Sequence, residues 1–456
     1  MINNRVVVTG IGLCTPLGQG VKRFWNSALN GEQSVAPIPE NWTKHKQYTS
    51  KLWAPLPKIA FSPDHISRIE SMQLDMVTML TIEASFEALA MAGICIEQAD
   101  KRHNTYTCDT LDPMRSGVIT GTGVGGINSL LHNNINQVKT PLLNDLKTLG
   151  EIEHEHPQIK SALVRVKERI QGSRRFNPFI VSMIMPNAPA AYTGLKFGLK
   201  GINRTVCSAC ASGTMAIGQA FQEIASGRAD FILTGGSEYL YEDHGGIFRG
   251  FDDSKTLVKR CDQPESANCP FDQNRSGFLF SEGGSGMLVL ESLHHAQKRN
   301  ASILGEIINY EESFDAYSLM SIDPSGTEIN SMLERLCNNA RIETNRIDYI
   351  NAHGTGTELN DQIETQILDE QFPHKPYINS TKGLIGHTIG ASGAIEAAVC
   401  LLSIKEGKLH PCPNLFNPVA PLNFVKKSVS APINFAISNS FAFGGHNAAL
   451  LIGKSD

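Results

Sequence analysis

No run of apolar residues in this 456-residue chain approaches the roughly 18 needed to cross a bilayer, so no membrane span is expected. The opening MINNRVVVTGIG has one arginine before a short apolar run that soon meets threonine and glycine. It lacks the layout of a secretion leader. Neither sign of charge dominates: the formal net charge is −5, which gives no global pull toward nucleic acid or an anionic membrane. Cysteine is sparse. Ten are scattered from Cys14 to Cys412, too thinly for a disulfide framework, and they read as reduced thiols of a cytoplasmic protein. Only Cys207 and Cys210 are close together. A structural zinc would need a second pair, and Cys261 and Cys269 are too far apart to supply it. A redox C-x-x-C would have a much smaller domain as its usual context.

What the chain does have is a series of apolar β-type runs that end in glycine turns. RVVVTGIG (5–12), SGVITGTGVGG (116–126), RADFILTGGSE (228–238), GSGMLVLES (284–292), RIDYINAHGTGT (346–357) and INFAISNSFAFGGHNAALLIG (433–453) form it. Runs of Val, Ile and Leu without polar alternation predict strands buried on both faces. Helical periods lie between them at 75–93, 214–227 and 393–407, each ending at glycine. Alternation of this kind predicts an α/β protein. Both halves use the same strand-to-turn grammar, which predicts a duplicated architecture with halves at 1–260 and 261–456. A polar stretch at 130–175 reads as an excursion over the core. Its end is basic (Arg165, Lys167, Arg169, Arg174, Arg175), which suits either a solvated helix face or an acidic partner.

Cys210 follows GINRTV, sits among Ala209, Ala211, Ser212 and Gly213, and precedes a helix. Small neighbours can leave such a thiol exposed, the helix N-terminus favours a thiolate, and free backbone N–H groups can meet an oxyanion. A buried cysteine under a helix start fits the same stretch equally well. His353 lies in NAHGTGTELND and His387 in NSTKGLIGHTIGASG, both among Gly and Thr at strand ends, with Lys382 five residues before the second. Two imidazoles near one thiol can polarise a thioester or act as acid and base.

Six motifs in order carry a resemblance: RVVVTGIGLCTPLG, SACASG, PFDQNRSGFLFSEGGSGMLVLE, NAHGTGTELNDQIE, NSTKGLIGHTIGASG and SNSFAFGGHNA. Over essentially its whole length the chain resembles the elongating, type II β-ketoacyl-[acyl carrier protein] synthases. The resemblance implies a thiolase-like fold of two similar halves in five αβαβα layers, a homodimer, and no bound cofactor, the 4′-phosphopantetheine being carried by the acyl carrier protein. It implies a decarboxylative Claisen condensation in fatty-acid elongation. Cys210 takes the acyl chain, His353 and His387 serve the malonyl decarboxylation, and the N–H groups of Cys210 and Phe443 form the oxyanion hole. Lys382 pairs with Glu364 and orders the histidine region, with Asp361 beside it, or else serves directly as a catalytic proton carrier. Thr355, Thr357 and Ser321 meet the pantetheine arm, and Val124 lines the acyl tunnel. Cys207 falls where the family has small residues and reads as a packing residue.

The chain departs from the family pattern at Met320, where a threonine is usual, and at Ala442, where glycine is usual. Alanine is expected to stiffen the turn around Phe443, because it disfavours φ values that glycine permits. Other readings are a ketosynthase of a specialised polyketide or polyene pathway, a non-catalytic dimer partner, and a metal- or redox-binding C-x-x-C protein. The intact Cys–His–His set argues against a chain-length factor, and the cysteine itself against a decarboxylase-only loading synthase. If the basic excursion docks a carrier protein, Arg174→Glu with Arg175→Glu raises the apparent KM for carrier-bound substrate and spares a pantetheine mimic. Equal effects on both substrates refute that docking.

Overall fold

The computed structural model describes residues 4–43, 46–135, 176–260 and 267–455, together with residues 142, 161, 163, 164, 166 and 263. Nearly all of the predicted 130–175 excursion, including its five basic residues, lies outside the described residues. Ten strands form the main sheet: β1 (Val6–Thr15), β2 (Ser116–Gly121), β3 (Asn203–Val206), β4 (Phe231–Tyr239), β5 (Gly283–Ser292), β6 (Gly305–Phe314), β7 (Tyr349–Asn351), β8 (Tyr377–Asn379), β9 (Phe435–Ala442) and β10 (His446–Gly453). The two-residue strand Gly18–Gln19 adds to β1. The order is β8-β7-β9-β10-β6-β1-β5-β4-β2-β3.

That order contains one arrangement twice. From the outer strand inward, β3-β2-β4-β5-β1 pairs parallel, parallel, antiparallel, antiparallel. The run β8-β7-β9-β10-β6 repeats the same pattern. The two repeats join where β1 meets β6. By strand order the first repeat closes with β5, at Ser292. Residues 283–292, which the sequence reading placed in the second half, therefore form a strand of the first. The break at 260 is a connection that crosses between repeats: Phe271 N–H, just beyond it, donates to Asp361 Oδ2 in the second repeat at 2.7 Å.

Seven helices position the site: α1 (Met76–Met91), α2 (Ala188–Phe197), α3 (Ser212–Ala225), α4 (Thr327–Ala340), α5 (Glu358–Gln371), α6 (Lys382–Ile385) and α7 (Ser392–Glu406). The predicted helices at 75–93, 214–227 and 393–407 are α1, α3 and α7. Asp75 caps α1 by accepting from Val77 N–H, and Gly407 ends α7 in the left-handed region at φ 62°. All of α7 up to Ile404 is buried, as an apolar helix in a middle layer must be. Helices α3 and α7 pack together and touch strands of both repeats, while α1 covers the outer face of the first and α4 that of the second. The result is the αβαβα layering implied by the resemblance. Among the described residues, no helix is long and apolar enough to cross a membrane.

The β1 glycines explain how closely α1 can approach. A Cβ at Gly10 would lie 2.0 Å from Ala88 O, and one at Gly12 would lie 1.8 Å from Ala84 O. Both contacts are with helix backbone, which cannot step aside. Gly12→Ala is therefore expected to cost about 2 kcal/mol or more of unfolding free energy in urea titrations. A loss within experimental error would mean that α1 rides higher on the sheet than this packing requires.

Candidate active site

Two elbows build the centre. Strand β3 runs into the 3-10 turn Ala209–Ala211, with Ala209 at φ 44°, and α3 begins at Ser212. In the second repeat the turn Ile389–Ala391, with Ile389 at φ 48°, leads into α7 at Ser392. Cys210 occupies the first elbow and Gly390 the equivalent place in the second. The elbows abut, and His387, just before the second, reaches across: its Nε2 lies 3.0 Å from Cys210 Sγ.

His353 arrives from another direction. The parallel neighbours β7 and β8 end side by side, with Asn351 opposite Asn379, so their following loops share one edge of the sheet. The β7 loop carries His353 and the β8 loop carries Lys382 and His387. The His353 ring stands edge-on to that of His387 with centroids 5.7 Å apart. Glu364 on α5 holds its loop in place by accepting the N–H groups of His353 and Gly354, both at 2.8 Å. Asp361 accepts from Phe271 N–H at 2.7 Å and from Gly356 N–H at 3.2 Å. Gly354, at φ 39°, has no room for a side chain, because a Cβ would lie 2.7 Å from Phe271 and from Ser380.

The electrostatics follow from burial. Cys210, His353 and His387 are at most 3% exposed. Burial pushes the Cys210 thiol up to about 12. The Lys382 charge and the N–H groups of Phe443 and Cys210, both directed at the sulfur, pull it down, while the Glu238 charge pushes it up. The free thiolate expected from the helix N-terminus is thus not the resting state, because desolvation of a buried sulfur outweighs the helix dipole. Burial, then the Lys382 charge, hold both histidines well below the ordinary imidazole range. Ile389 N–H donates to His387 Nδ1 at 3.2 Å. That bond assigns the neutral ring its proton on Nε2, facing the sulfur.

Lys382 does not pair with Glu364. Its Nζ lies 2.5 Å from Glu396 Oε1 on α7, and both side chains are almost fully buried. Sequence reasoning missed Glu396, although a glutamate inside the apolar run AIEAAVCLL is a signal that a buried cation is near. Cys207 is exposed in this chain and not packed as expected. Ala442 ends β9 in strand geometry. The left-handed residues of the Phe443 turn are Gly444 (φ 87°) and Gly445 (φ 81°), so alanine introduces no strain at 442. Gly444 N–H donates to Leu319 O at 2.7 Å, which ties the Phe443 turn to the loop of Met320 and Ser321.

A cavity of about 280 Å³ leads to the thiol. Cys210, His353, His387 and Phe443 line its inner part, and Ser321, Thr355 and Thr357 line the wall. The Thr355 and Thr357 hydroxyls are 2.8 Å apart. Lys255, Lys259 and Met320 also border it. Val124 lies outside this cavity, 43% exposed on the turn after β2. Such a site offers a soft nucleophile, two N–H groups aimed at it and two neutral imidazoles, at the end of a passage suited to a narrow arm.

The family model described as β-ketoacyl synthase, N-terminal domain, matches residues 3–296, and its C-terminal counterpart matches 304–416. The chain is 34% identical to 3-oxoacyl-[acyl-carrier-protein] synthase 2 of Staphylococcus aureus (strain COL) over 458 residues, covering 99% of each. Among solved structures it resembles a β-ketoacyl synthase from Burkholderia phymatum STM815 with a TM-score of 0.81 at 28% identity, covering 99% of this chain and 100% of that one. It also resembles a type II polyketide ketosynthase solved with its acyl-carrier protein and bound to the hexaketide, with a TM-score of 0.77 at 25% identity and 100% coverage of both chains.

The lysine pairing can be tested. Glu396→Gln strands a buried ammonium, with an expected cost of about 3 kcal/mol or more in urea unfolding. Glu364→Gln leaves the Lys382–Glu396 pair intact and removes one acceptor, with an expected cost of about 1–2 kcal/mol. The reverse ranking would return Lys382 to Glu364.

Proposed function

This chain is a member of the β-ketoacyl synthase family, and we propose that it extends acyl chains by decarboxylative Claisen condensation with malonyl-[acyl carrier protein] in fatty-acid elongation. The observation that carries this reading is the 3.0 Å approach of His387 Nε2 to Cys210 Sγ, with the His353 ring beside it, at the end of a cavity.

The first half-reaction joins Cys210 Sγ to the acyl carbonyl carbon and breaks the bond to the pantetheine sulfur. The thiol proton leaves with the departing pantetheine thiol. The tetrahedral oxyanion meets the N–H groups of Cys210 and Phe443, which already point at this spot. In the second half-reaction a malonyl thioester takes the vacated passage, with its arm against Thr355, Thr357 and Ser321. Loss of CO₂ moves an electron pair onto the thioester oxygen. Neutral imidazole N–H groups of His387 and His353 donate to that oxygen as charge develops. The enolate carbon then attacks the acyl carbonyl, a C–C bond forms, and Cys210 departs as a thiolate that takes up one proton from solvent. The product is a 3-oxoacyl thioester two carbons longer. Burial holds both imidazoles neutral, the Lys382 charge adds to it, and Lys382 is itself held by Glu396.

No cofactor is needed in this scheme, since the phosphopantetheine arrives on the carrier protein. Lys255 and Lys259 beside the cavity suit an anionic arm and an acidic carrier. We place the enzyme in the cytoplasm as a homodimer. The outer strand β3, with Asn203 and Arg204 exposed, offers an edge for a second copy. The likeness to a polyketide ketosynthase supports a second reading, the same condensation in a specialised polyketide or polyene pathway.

The test is intact-protein mass spectrometry with a panel of acyl carrier protein thioesters, followed by peptide mapping. The expected outcome is an acyl adduct at Cys210, released as a 3-oxo product when malonyl carrier protein is added. No adduct from any donor, or an adduct at Cys207 alone, overturns the assignment.

A further inference from the structure

We propose, resting on the condensing-enzyme reading above, that Glu238 is a positioning residue for Cys210 and His387: its carboxylate ties the Thr122–Gly125 turn of the first repeat to the Gly390 elbow of the second. Glu238 stands at the end of β4 and is fully buried. Its Oε2 accepts from Gly123 N–H at 2.6 Å and from Gly390 N–H at 3.1 Å. Its Oε1 accepts from the Thr122 hydroxyl at 3.1 Å and from Val124 N–H at 3.4 Å. All four donors are uncharged. A buried carboxylate without a counter-charge costs free energy, so its hydrogen bonds have to be numerous and well placed to hold it there.

The place of this clamp gives it a role. Gly390 follows Ile389, whose N–H holds His387 Nδ1. A shift of the Gly390 peptide therefore moves the imidazole that faces the sulfur. The clamp also closes at contact distance. A Cβ on Gly123 would lie 2.6 Å from Glu238 Oε2, and one on Gly390 would lie 2.7 Å from that oxygen and 2.5 Å from Gly123 N. On its other side Glu238 pairs with Gly284 of β5, which brings no charge. The titratable groups that feel Glu238 are the thiols of Cys207 and Cys210, both pushed up by burial and further by its charge, and His387 lies beyond Ile389 on the elbow. Burial pushes Glu238 itself up to about 7, so it changes charge near neutrality.

Two variants separate position from charge. Glu238→Gln keeps a carbonyl oxygen for Gly123 and Gly390 and presents an amide that can donate to the Thr122 hydroxyl; only the long Val124 contact loses its acceptor, so the tie from Gly123 to Gly390 stays and the charge goes. Glu238→Ala removes both. The readout is iodoacetamide alkylation of Cys210, followed by peptide mass spectrometry across roughly pH 6–9, alongside steady-state condensation. With Glu238→Gln, Cys210 is expected to alkylate about threefold faster or more above pH 8. The gain should close below about pH 6.5, where the native Glu238 is protonated as well. Glu238→Ala is expected to lose about 100-fold in kcat with little change in KM for malonyl carrier protein, while Glu238→Gln stays within about tenfold of wild type.

Superimposable alkylation profiles for wild type and Glu238→Gln, or a Glu238→Ala enzyme with wild-type kcat, overturn the proposal. If Glu238→Ala does not fold, the Glu238→Gln profile and its kcat decide. If the wild-type protein condenses nothing, the proposed function fails, and the alkylation profiles still decide whether Glu238 governs the thiol.

Discussion

Helices α3 and α7 begin so close together that glycine is needed where they meet. A Cβ on Gly213 would lie 2.9 Å from Ala394 N, one on Gly236 would lie 2.3 Å from Gly390 O, and one on Gly393 would lie 1.9 Å from Thr214 Oγ1. This approach brings the two elbows into contact and sets Cys210 Sγ at 3.0 Å from His387 Nε2. Methyl groups at these positions would push the repeats apart by more than a hydrogen bond can stretch. The duplicated fold and the reaction thus depend on one feature, backbone-to-backbone packing in the middle layer. The glycines give up side-chain contacts there so that a residue from each repeat can share one site.

Close packing also makes the site dry, and dryness decides the protonation states. Desolvation disfavours charge on every titratable group within it, so the thiol keeps its proton and both imidazoles stay neutral. The polar groups buried at the centre come with structural support: Lys382 has Glu396, and the Glu238 carboxyl has four donors. Neutral imidazoles suit a reaction in which negative charge appears on a thioester oxygen. They donate a hydrogen bond without bringing a cation that would have to be solvated in the resting state. The Cys210 and Phe443 N–H groups already point at the sulfur, so the proposed oxyanion would need little reorganisation to form.

Much of this was legible from residue types at turns. Cys210, His353 and His387 each sit among Gly, Thr or small residues at the end of an apolar run, and that pattern survives in sequence because it is local. The partner of Lys382 was not legible. Glu364 and Glu396 both follow the histidine motifs on helices, and only the direction of each helix sends one carboxylate to the backbone of the His353 loop and the other to the ammonium. The division of the repeats was misplaced for a related reason. By chain order the β-type run at 284–292 belongs to the second half, yet β5 returns to pair with β1 and β4. Strand pairing between distant segments leaves no mark within either segment.

The sequence by itself determined the α/β class, the helices α1, α3 and α7 with their glycine ends, and the identity of the cysteine and the two histidines. Each of these rests on periodicity or on turn chemistry within a few residues. Tertiary structure alone decided that the thiol is buried and protonated, that Lys382 answers to Glu396, that Cys207 faces outward, and that Glu238 ties the Thr122–Gly125 turn to the Gly390 elbow. Those outcomes depend on desolvation and on distances between chain segments as far as 177 residues apart, as Cys210 and His387 are. Burial and proximity are properties of the packed molecule, and they arise only when the two repeats close on each other.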